Sequence, residues 1–115
     1  MADPVAAVSG VAIVQQNAAT TGNGVVLALP PSLRYHTWII RGTGTVTTGK
    51  IKIETANDPA DAGTWALIGS EVTILSDVNL MVTAVGVFPF VRARFSADVT
   101  GAGGKATVQY LGAHS

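Results

Sequence analysis

No stretch of this sequence runs far enough without a glycine or proline to build an amphipathic helix. Thirteen glycines and five prolines break the windows in which apolar residues would have to recur at i, i+3, i+4 and i+7. Between them lie short apolar runs rich in valine, isoleucine and threonine, the texture of strands joined by turns. At 115 residues the chain suits one domain, which buries roughly two-thirds of the surface of its unfolded chain. A hydrophobic core is therefore feasible without staples. The absence of cysteine excludes disulfide frameworks, thiolate zinc sites and cysteine nucleophiles.

The strands can be placed in order. Val11-Ala-Ile-Val14 is a short apolar run before a polar stretch to Asn23. Gly24 to Leu29 reads as a buried strand stopped by Pro30-Pro31, and Tyr35 to Arg41 as an aromatic, β-branched strand that ends or bulges at Gly42-Thr-Gly44. Thr45 to Thr55 carries the cleanest alternation: Ile51 and Ile53 face one way, Lys50, Lys52 and Glu54 the other. Ala56 to Gly63 is a turn cluster of Asn, Asp and Pro. Thr64 to Ile68 returns as its partner strand, and Glu71 to Leu75 and Leu80 to Val85 flank a Ser76-Asp77 turn. From Phe88 to Ala97, Val91, Ala93 and Phe95 alternate with Arg92, Arg94 and Ser96. The last strand, Lys105 to Leu111, puts Ala106, Val108 and Tyr110 on one face. About eight strands at roughly 8–12-residue spacing, with connections too short for helical crossovers, predict an antiparallel β-sandwich or a jelly-roll-like small barrel.

Charge narrows the function. Only 12% of the residues are charged, and seven acids balance seven bases. A domain that grips duplex nucleic acid by its phosphates shows a basic excess, so no nucleic-acid partner is expected. No run approaches the ~20 apolar residues of a membrane-spanning helix, nor does the start of the chain have the basic flank of a signal peptide. So little charge on so apolar a chain predicts that part of the surface is covered, in an oligomer or on a larger particle.

The residues that carry chemistry do not assemble into a catalytic pattern. His36 lies within a strand and is expected at its surface or at a subunit contact; His114 is in the tail. Neither belongs to a set of three or four metal ligands. Glu54, Asn57, Asp58 and Asp61 do not have the spacing of a calcium loop, and Pro59 interrupts them. Ser70 and Ser76 sit in turns without an elbow motif, and the Gly42-Thr-Gly44 and Gly101 to Gly104 clusters open no helix that would receive a phosphate. The expectation is a non-enzymatic protein with no catalytic residues, no metal and no cofactor.

Two other groupings suggest binding. Arg92 and Arg94 share a strand face with Phe90, as Lys50 and Lys52 share another. Such a face binds single strands in some sheets, but is more simply read as solvated or turned toward a neighbouring subunit. Trp38, Trp65 and Tyr35 would serve as stacking platforms if the chain were a carbohydrate-binding or adhesion module, which is the alternative reading.

The segment Lys50 to Leu67, an alternating strand leading through Ala56-Asn-Asp-Pro into a Trp65 strand, resembles a module of bacteriophage virion proteins. Phe90 to Gly101, followed by Thr107-Val-Gln-Tyr110, is similar to the strands that close it, and the resemblance spans roughly Arg41 to Gly112. Pro59-Ala-Asp61 replaces the tighter Asp-Gly turn of that module and lengthens the loop. The resemblance implies a head decoration or cement protein, or a minor tail or connector component. It further implies a homo-oligomer, most often a trimer, on the capsid surface of the virion after assembly in the host cytoplasm. The implied partner is the major capsid protein. Residues 1–23 are then either an arm or the first strand, ahead of a sandwich over residues 24–115. Val11, Ala12, Ile13 and Val14 would pair with a neighbour's sheet edge if the segment is an arm, and Arg92 and Arg94 are the other candidate partner-binding residues.

Overall fold

The computed structural model describes residues 12–18, 22–60 and 65–113. Among these residues every regular element is a strand: β1 (Ala12–Ala18), β2 (Gly22–Asn23), β3 (Leu27–Ala28), β4 (Tyr35–Thr43), β5 (Thr48–Ala56), β6 (Ala66–Thr73), β7 (Asn79–Val85), β8 (Phe90–Thr100) and β9 (Lys105–Ala113). They form two antiparallel sheets. Sheet A has the order β1-β9-β4-β7, and sheet B the order β2-β8-β5-β6, with β3 also pairing β8. The architecture is a β-sandwich of two separate sheets rather than a closed barrel.

The alternation in the sequence becomes the core. Ile51 and Ile53 from β5, Val91, Ala93 and Phe95 from β8, Trp38 and Ile40 from β4, and Ala106, Val108 and Tyr110 from β9 are all buried between the sheets. Each fully buried Val, Ile or Phe side chain contributes roughly 1.5–3 kcal/mol by leaving water. Leu27, Leu29 and Leu33 close one side of the core.

Three local expectations are corrected. The strand read over Gly24 to Leu29 is only two residues long, because Leu27 and Leu29 turn into the core while Val25 faces solvent. It and β2 form a broken edge along β8. The two strands read before and after Gly69-Ser70 are one strand, β6, bulged where Ile51 pairs Val72 but Ile53 pairs Ile68. Gly69 sits in that bulge at φ 73°, a left-handed backbone that other residues rarely adopt. His36 lies in the core rather than at the surface, on the same phase as Trp38 and Ile40.

Candidate functional site

The two outer faces of the sandwich differ sharply in charge. Sheet B directs Lys50, Lys52 and Glu54 from β5 and Arg92 and Arg94 from β8 outward, opposite the inward isoleucines and valines. Glu54 is nevertheless almost wholly buried there, because side chains from β8 fold over it. Arg92 Nε donates to its Oε1 at 3.0 Å, and Arg94 donates from Nε to Oε1 and from Nη2 to Oε2, each at 3.0 Å. The Arg92 guanidinium lies 4.0 Å above the Trp65 ring, a cation–π contact that sandwiches it between ring and carboxylate. Burial raises the Glu54 pKa, but the hydrogen bonds and charges of Arg94 and Arg92 outweigh it and hold the carboxyl below its usual range. Glu71 accepts from Ser96 Oγ and lies 3.9 Å from Lys50 Nζ. The guanidiniums of Arg92 and Arg94 are thus engaged within the chain.

Sheet A is different. Its outward positions are Tyr35, Thr37, Ile39, Arg41 and Thr43 on β4, Asn79, Met81, Thr83 and Val85 on β7, and Lys105, Thr107, Gln109, Leu111 and Ala113 on β9, with Lys105 opposite Thr43 at the Arg41 end. Cross-strand register sets Ile39 between Met81 and Gln109, and Thr37 between Thr83 and Leu111. Arg41, near one end, is hydrogen-bonded to Asn79 at 3.2 Å and lies 3.6 Å from the Asp77 carboxylate. From there to Tyr35 no charge appears on β4, β7 or the facing part of β9. Large apolar side chains instead stand in solvent: Met81 is 65% exposed, Val85 71%, Tyr35 49% and Leu111 46%.

The surface is contoured. Ile39 and Gln109 border two adjoining depressions, one of about 270 Å³ reaching Arg41, Thr43 and Asn79, the other of about 120 Å³ between Thr37 and Leu111. The second is lined almost entirely by apolar surface, while the first offers amide and hydroxyl groups. Such a face supplies apolar area with a few polar anchors, the make-up of a protein-binding surface. The sequence reading did not single it out. The available signal was the paired apolar residues Ile39-Ile40 and Met81-Val82, which leave both faces of a strand apolar where a solvated strand alternates.

The remaining sequence candidates fall elsewhere. Ala12, Ile13 and Val14 belong to β1, whose backbone pairs with β9 of the same chain, Ala12 opposite Tyr110 and Ile13 opposite Gln109. Val11, Asp61 and His114 lie outside the described residues. Both tryptophans are buried, Trp38 in the core and Trp65 beneath Arg92, so neither is a platform for a sugar, and of the three aromatic candidates Tyr35 alone is exposed. His36 uses both ring nitrogens, one with Tyr110 and one with the Gly86 carbonyl. Asp58 accepts the Ala60 amide at 2.9 Å within its turn. Among the described residues no group of three His, Cys, Asp or Glu is placed to hold a metal ion.

No family model matches the chain, and no curated protein matches it in sequence. Its fold is similar to that of the SPBc2 prophage-derived protein YomS, known from a crystal structure, with a TM-score of 0.61 at 16% identity. The match covers 90% of this chain and 92% of that one. At that identity the likeness establishes a shared fold, and the protein that shares it comes from a prophage.

Proposed function

We propose that this chain is a phage structural protein that works by binding, docking the outer face of sheet A against the major capsid protein as a decoration or cement protein does. The observation that carries the reading is the uncharged, apolar stretch of sheet A's outer face beyond Arg41, with Met81, Val85, Tyr35 and Leu111 in solvent. Monomeric soluble proteins seldom leave such a patch uncovered, and a patch of this kind marks an interaction surface. The shared fold with a prophage protein supports the phage setting. The internal pairing of Glu54 with Arg92 and Arg94 supports docking by sheet A, since the other face has spent most of its charge on itself.

The mechanism is non-covalent. Apolar side chains leave water against the capsid subunit, Gln109 and the threonines supply hydrogen bonds, and many weak contacts on a symmetric lattice add through avidity. The test is to add the purified chain to phage heads assembled without it. Co-sedimentation at a fixed ratio to the major capsid protein, with heads that then resist heating better, is the expected result. Heads that leave the chain in the supernatant at every concentration contradict it.

A further inference from the structure

Sheet edges are where a β-protein adds strands, and among the described residues three of the four sheet edges are guarded. β1 breaks register twice along β9. The β2/β3 edge comes in two-residue pieces and ends at Pro30-Pro31. β6 is bulged at Gly69 and carries Glu71. Each is a known device against edge pairing. β7 has none of them. Its seven residues, Asn79 to Val85, include no charge, proline or glycine, and pair with β4 from Arg41–Asn79 to Tyr35–Val85 without a register shift. No strand among the described residues occupies its other side.

The phase of that free edge follows from one bond. Gly86 N–H donates to the Arg34 carbonyl at 2.8 Å. Antiparallel ladders alternate, so Ala84, Val82 and Leu80 turn their polar groups to β4, and Thr83 and Met81 turn theirs away. We propose that a second copy of this chain fills the edge, β7 against β7, antiparallel about a two-fold axis at Val82. In that register Met81 of one copy faces Thr83 of the other, and the outward N–H and C=O groups of each meet. Leu80 faces Ala84, and Asn79 faces Val85. The strand suits itself as a partner because an uncharged strand sets no like charges against each other, and a two-fold contact closes without leading to fibres. The pairing joins two four-stranded sheets into one continuous sheet and doubles the apolar outer face. It stands apart from capsid docking, so either can fail alone.

The test is light scattering on size-exclusion fractions over a dilution series, with circular dichroism as the folding control. The wild type is expected as a dimer that dissociates on dilution. Thr83→Lys, which brings two ammonium groups diagonally across the axis, and Met81→Glu, which does the same with carboxylates, should each weaken the dimer at least about tenfold. The double variant sets each new carboxylate opposite a new ammonium and should restore it, in a salt-sensitive form. In the wild type, amide exchange at Met81 and Thr83 should slow as concentration rises. A wild-type monomer at all concentrations, a trimer, a dimer indifferent to both single changes, or a folded double variant that stays monomeric would each overturn the proposal.

Discussion

The Tyr110 hydroxyl donates a 2.7 Å hydrogen bond to Nδ1 of His36, a residue 74 positions away on the neighbouring strand. The direction is fixed by the other ring nitrogen: Nε2 lies 2.8 Å from the Gly86 carbonyl, which only accepts, so in the neutral ring Nδ1 is left as the acceptor. The pair ties β4, β9 and the turn after β7 together at the end of the sandwich where Tyr35 and Val85 stand exposed on the outer face of sheet A. Trp38 and Phe88 surround it, with the Phe88 ring edge-on to His36 at 5.0 Å.

Tyr110→Phe removes the donor and leaves a buried acceptor without a partner, so urea unfolding at neutral pH should show a loss of about 1–3 kcal/mol. Burial pushes the Tyr110 phenol up to about 12 from its ordinary 10.0. A raised folded-state value means the contribution is fully present below pH 10 and is lost as pH rises toward 12, an effect of about 3 kcal/mol. Stability of the wild type should therefore fall across that window, and the fall should be shallower in Tyr110→Phe. Parallel alkaline profiles for the two proteins would show that Tyr110 is not the group responsible.

Glu54→Gln should destabilise the fold by about 3 kcal/mol, because it strands two partly buried guanidiniums; Arg94, at 32% exposure, recovers some hydration and keeps the loss at the lower end of what a broken buried pair costs. The Glu54 carboxyl is held below its usual 4.5, so its contribution is present above that pH and disappears as pH falls through the depressed value. Thermal melts of wild type and variant should thus be well separated at neutral pH and converge in acid. A constant gap at every pH would contradict the assignment.

Gly112→Ala tests the packing around the same tyrosine. A Cβ at Gly112 would run into Tyr110 Oη and come within 3.1 Å of Leu33 Cδ1. The expected cost is about 1–3 kcal/mol from overpacking, read as a lower midpoint in denaturant, with the near-ultraviolet signal of the aromatic cluster altered. An unchanged midpoint would mean that the strand end moves aside freely.

Much of the fold was legible because alternation reports burial directly. The phases of Ile51 and Ile53, of Val91, Ala93 and Phe95, and of Ala106, Val108 and Tyr110 all read correctly from the sequence. What failed depended on partners distant in the chain. His36 looked like a surface residue because its imidazole needs two partners, and those partners, Tyr110 and Gly86, have no local signature. Glu54 had the right outward phase, yet it is buried by arginines 38 and 40 residues downstream. Gly69 looked like a break between strands because a bulge and a turn use the same residue. The apolar outer face of sheet A is hidden in the sequence for a simpler reason: its exposed apolar residues resemble core residues until the sheet order assigns them a side.

The most direct measurement compares two variants for binding to heads that lack the protein, one on each face. Leu111→Asp places a charge on the outer face of sheet A, and Lys52→Glu reverses one on sheet B. Both positions accept polar groups, so both variants should fold with stability within about 0.5 kcal/mol of the wild type. The account predicts that Leu111→Asp loses particle binding by at least about tenfold while Lys52→Glu retains it. Binding kept by Leu111→Asp and lost by Lys52→Glu would place the docking surface on the other sheet and contradict the account.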